Sequence, residues 1–113
     1  MMHLVLVIDI DGGIDQSGLE RLRTHLNLKK QGRLTDDWDQ EFGYRTIEAA
    51  SGQRTKIGLF RESDGSWLVD ASASGSDVSN DEIALLRAEL VQGIAAAGYQ
   101  ATVRAKPTYG PKP

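Results

Sequence analysis

Between Ser79 and Gly98 the sequence specifies a helix together with both of its ends, and a helix with one apolar side must be covered by another layer. Ser79 followed by Glu82 has the spacing of a capping box, in which hydroxyl and carboxylate each accept from a backbone N–H left over at the first turn. Val78 and Ile83 stand where a hydrophobic staple would close over that cap. At the far end Gly98 suits the left-handed C′ position, and Tyr99 falls opposite Ile94 as the apolar contact of a Schellman ending. Ile83, Leu86, Leu90, Ile94 and Ala97 recur at three and four residues and form one stripe. The remaining chain has to supply the surface that this stripe packs on.

Residues 3–10 are almost all leucine, valine and isoleucine, the composition of a strand buried on both faces. Gly12 and Gly13 end it, and Ser17 with Glu20 repeats the capping spacing, so a first helix is expected over 18–28. Its inward stripe is Leu19, Leu22 and Leu26, and its polar side is basic. From Lys29 to Gly43 no strand pattern appears. Thr35 can cap a helix of one to two turns in which Leu34, Trp38 and Phe42 align at four-residue spacing. Residues 44–50, 55–62 and 67–72 read as three strands. Asp64-Gly65 predicts a two-residue type I′ turn, which sets Phe60 opposite Val69 and Glu62 opposite Trp67, with Phe60 on the helix-facing side. Alternation from Tyr99 to Lys106 gives a last strand.

The expected fold is α+β, a two-layer sandwich in the order β-α-β-β-β-α-β, with a mixed five-stranded sheet and two long helices on one face. This is a ferredoxin-like variant with one extra strand. A single domain is expected over 1–106, followed by a flexible proline-rich tail over 107–113.

The chain has no cysteine, which excludes disulfides, thiolate metal sites and cysteine nucleophiles. Its longest apolar run, Leu4 to Ile8, is far short of the roughly 20 residues that span a bilayer, and no basic stretch precedes it as in a signal peptide. No membrane association and a cytoplasmic location are expected. The net charge of −3 is segregated along the chain: Asp9, Asp11 and Asp15; then Arg21, Arg23, Lys29, Lys30 and Arg33; then Asp36, Asp37, Asp39 and Glu41. No basic stripe with interleaved aromatics occurs, so direct nucleic-acid binding is not expected.

Val7-Ile8-Asp9-Ile10-Asp11-Gly12 resembles the first motif of the HAD-type phosphohydrolases, in which an apolar strand delivers two aspartates to a magnesium site. The resemblance implies a metal-dependent phosphoryl-transfer or phosphodiester enzyme using Asp9, Asp11 and perhaps Asp15, one aspartate attacking phosphorus. It covers six residues, and Gly13 stands where that family has threonine or valine. The acids of 9–20 also mimic a calcium loop, but Ile14 occupies the position that needs glycine. His3 and His25 are not at ligand spacing, and GxSxG, HExxH and phosphate-loop motifs are absent.

The remaining chemistry is recognition. Asp36, Asp37, Trp38, Asp39, Glu41 and Phe42 combine aromatic side chains with acids that would steer a basic partner. The expected function is a small non-catalytic protein-binding domain with no cofactor: an immunity- or antitoxin-type inhibitor that occludes the active site of a basic toxin such as a nuclease. A generic adaptor, or a homodimer formed through the first strand or a sheet edge, fits the same composition.

Overall fold

The computed structural model describes residues 2–35, 40–48, 53–74 and 79–109. The elements are β1 (Met2–Asp11), α1 (Gln16–His25), β2 (Lys29–Lys30), β3 (Glu41–Glu48), β4 (Arg54–Arg61), β5 (Trp67–Ser74), α2 (Asn80–Ala96) and β6 (Gln100–Val103). Six strands form one sheet in the order β2-β3-β4-β5-β1-β6, and every neighbouring pair is antiparallel. This corrects the expected five-stranded mixed sheet, and the ferredoxin-like assignment goes with it. The added strand is β2, whose two lysines pair with Tyr44 and Gly43. A two-residue strand carries no periodicity, so nothing in the sequence marks it.

Local signals decide the helices. Ser79 caps α2 by accepting from the Glu82 N–H at 3.1 Å, and Gly98 takes φ +95 while the Tyr99 N–H donates to Ile94 O at 3.1 Å. Helix α1 starts earlier than expected, because the cap is Asp15, whose carboxylate accepts from the Gly18 N–H at 2.7 Å. It also stops earlier: Asn27 adopts φ +56, and the Leu28 N–H donates to Arg23 O at 2.8 Å, a Schellman ending with asparagine in the glycine position.

The β4–β5 register differs from expectation by one residue. The Glu62 N–H donates to Ser66 O and the Gly65 N–H to Glu62 O, so the loop holds three residues, 63–65, with only Gly65 at positive φ. A three-residue loop with its glycine in the left-handed region replaces the type I′ turn. Phe60 therefore faces Leu68, and Leu59 faces Val69. Such a slip exchanges the two faces of a strand: Ile57 and Leu59 enter the core, while Phe60 lies on the opposite side.

One core results. Leu19, Leu22 and Leu26 of α1 and Leu90 and Ile94 of α2 pack on Leu6, Ile8, Ile10, Ile57, Leu59, Trp67, Val69 and Ala71 of the sheet. Gly93 lets the helices approach closely, since a Cβ there would lie 2.7 Å from Leu26 Cδ2 and 3.0 Å from His25 O.

Candidate functional site

The acidic segment singled out in the sequence enters β3 at the end of the sheet where β4 finishes. Asp36, Asp37, Trp38 and Asp39 lie outside the described residues. So does most of the short helix expected around them, and its last residues, Glu41 and Phe42, belong to β3. Both flanks are tied to Arg61: its Nη1 donates to Leu34 O at 3.3 Å and its backbone N–H to Gln40 O at 2.8 Å. The Arg61 guanidinium lies 4.8 Å from the centre of the Phe42 ring, and that ring lies 4.9 Å from Trp67.

Phe42 is fully buried, an extra residue in a bulge of β3 whose partners Glu41 and Gly43 pair with Phe60 and Leu59. It can hold the segment but not touch a partner. A second anchor comes from Arg23, expected on the basic polar side of α1. It is buried, and it donates through Nε to Phe42 O and through Nη2 to Gln31 O, both at 2.7 Å, with Glu20 against Nη1 at 2.8 Å. Helical periodicity does separate it from the exposed Arg21: Arg23 stands four residues after Leu19 and three before Leu26, at the edge of the inward stripe, and its charge hides that placement.

Glu41 points to the sheet face that carries no helices. Its carboxylate lies 3.2 Å from Lys56 Nζ, and the two line a shallow depression of about 530 Å³ with Lys30, Gln31, Tyr44 and Thr46. On the same face, Asp70 is buried and accepts a hydrogen bond from the Tyr109 hydroxyl. Burial raises the Asp70 carboxyl to about 6, the Tyr109 bond opposing that rise and the nearby Glu41 charge adding to it. Tyr109 is itself held above the ordinary phenol range, by burial and then by Asp70.

A carboxyl whose value is raised on folding favours its protonated form in the native state. Its contribution is complete below about pH 4 and is lost as pH rises through about 6. Asp70→Asn should therefore stabilise the protein at pH 7.5 by about 2 kcal/mol. The shift, in which the Tyr109 bond is already counted, corresponds to about 3 kcal/mol in full, and roughly 2 of that develops between pH 4 and pH 7.5. At pH 4 the two proteins should melt together, and paired thermal unfolding curves at both pH values check this.

The aspartates of the HAD-like motif are occupied otherwise. Both Asp9 oxygens accept from Arg104, from Nε and from Nη2, at 2.8 Å each, in a pair exposed by only 3% on either side chain. Asp11 accepts from Thr102 Oγ1 at 3.3 Å, and Asp15 caps α1. Among the described residues no group of three histidine, aspartate or glutamate side chains comes together to hold a metal. His3 and His25 are both exposed, on β1 and at the end of α1. Among the described residues no helix is long and apolar enough to cross a membrane. No family model, curated protein or solved structure matches the chain.

Proposed function

We propose that this chain is a non-catalytic protein-binding domain acting in the cytoplasm, an inhibitor of the immunity or antitoxin kind that covers the active site of a basic toxin such as a nuclease. The observation that carries the reading is the clamp by Arg61 on both flanks of residues 36–39, with Phe42 buried next to them. The described flanks, Leu34 and Gln40, are held to one arginine, and fixed ends lower the entropy a recognition segment loses on binding. Glu41 and the depression beside it extend the polar surface at that end of the sheet. The acids supply steering towards positive charge, and the indole supplies the apolar contact.

The test is co-purification with co-expression. The tagged chain should capture a basic protein that arrests growth when produced alone and is tolerated when both are produced. Trp38→Ala, and the triple change of Asp36, Asp37 and Asp39 to asparagine, should each weaken capture at least tenfold while leaving the melting temperature unchanged. Raising salt from 50 to about 500 mM should slow association. A captured partner that is harmless, or that binds all variants equally, would remove the proposal.

A further inference from the structure

Two features at the other end of β3 have no role in the reading above. The first is an open edge. Strand β2 covers β3 only at Gly43 and Tyr44, so among the described residues no strand pairs with Arg45–Glu48 on that side. An exposed edge of this kind is a template for another strand. The second is an apolar groove of about 270 Å³ between the sheet and the first turns of α2, lined by Ile47, Gln53, Thr55, Glu82, Leu85, Leu86 and Glu89. Ile47 belongs to both, with its backbone on the edge and its side chain in the groove. Leu85 lies off the buried stripe of α2 and is 74% exposed, and Ile47 is 38% exposed.

We infer that this edge and groove receive an extended segment of another protein, one that carries apolar and basic residues two positions apart and so on the same face. The segment adds a strand to β3 along Arg45–Glu48. One apolar side chain enters between Ile47 and Leu85, and a lysine or arginine meets Glu82. The charge of the rim selects this occupant. Glu89 is already bridged by Arg45 at 3.0 Å, whereas Glu82 has no ion-pair partner among the described residues. Its backbone N–H takes the Ser79 cap, and its carboxylate does not close the other half of the capping box. The groove therefore presents apolar surface beside unpaired negative charge. A second copy of the chain, pairing antiparallel along Arg45–Glu48, is the competing occupant, and sedimentation separates it from a foreign segment. Main-chain pairing supplies affinity and the groove supplies side-chain selection, as in strand addition generally.

The probe is a capped seven-residue peptide, valine-threonine-lysine-threonine-valine-threonine-lysine, titrated into the ¹⁵N-labelled full chain at low salt. Amide shifts should concentrate at Arg45–Glu48 and over the first two turns of α2. Leu85→Ser should weaken binding about tenfold, the size of one lost leucine contact. Glu82→Gln should weaken it about threefold. The same peptide with a central proline, which cannot pair as a strand, should not bind. The same peptide with glutamate in place of lysine binding equally, shifts that fall elsewhere, or no shift at millimolar peptide would overturn the inference. A wild-type dimer in sedimentation that Leu85→Ser converts to monomer would also overturn it, in favour of a second copy. None of these variants lies in the 36–41 segment, so this result and the test of the proposed inhibitor stand apart.

Discussion

Phe42→Ala is expected to cost about 4 kcal/mol of unfolding free energy, the upper part of the range for emptying a large aromatic site. Among the described residues Phe42 is the largest fully buried side chain, and it touches Trp67 from one side and Arg61 from another. The site cannot readily collapse, because the Phe42 carbonyl is fixed by Arg23 and β3 is paired with β4 on either side of the bulge. For a domain of this size such a loss lowers the melting temperature by about 15 °C. Urea unfolding should show a lower midpoint with an unchanged slope. The effect distinguishes Phe42 from Trp38, whose removal is expected to change partner capture and not stability. Equal losses of stability from both variants would show that the segment is core and not contact surface.

Arg104→Leu is the other large effect, a loss of about 3 kcal/mol. Removing the guanidinium leaves the Asp9 carboxylate buried between β5 and β6 with neither oxygen hydrogen-bonded by its partner, and an unpaired buried charge costs more than the pair itself contributes. Arg104 Nη1 also donates to Thr108 O at 2.8 Å, so the same change loosens the path that brings Tyr109 to Asp70. The double variant Asp9→Leu with Arg104→Leu should recover most of the loss. Chemical denaturation of both single variants and the double variant measures the coupling. Additive losses would mean that the pair does not act as a unit.

What could be read from the sequence was what is decided within a few residues. The cap at Ser79 and the Gly98-Tyr99 ending depend on neighbours along the chain, and the structure has both. The Asp15 cap was obscured because Ser17 and Glu20 offered the same spacing two residues later. The β4–β5 register turned on a single loop residue, since Asp64-Gly65 serves equally in a two- or three-residue turn. That one residue decides whether Phe60 or Leu59 joins the core. Asp9 looked like a metal ligand because the residue that takes it, Arg104, stands 95 positions away. The burial of Asp70 is hidden for the same reason, being completed by a carboxy-terminal segment that no local pattern announces, whereas Arg23 stands on the Leu19 and Leu26 side of α1 and only its charge argues against burial. For the acidic segment, the sequence indicated composition, and the structure adds the anchors at Leu34, Gln40 and Phe42.

The place of β1 between β5 and β6 has a consequence for synthesis. Strand β1 is among the most apolar in the chain, yet its neighbours are encoded roughly 60 to 95 positions later. Emerging from the ribosome, it must wait for residues 67–74 before one edge is sealed and for residues 100–103 before the other, and such non-local pairing slows folding and leaves sticky ribbon exposed. Strands β3 and β4, by contrast, meet their partners at once. Order should therefore spread from the central hairpins outward, with β1 among the last strands to settle.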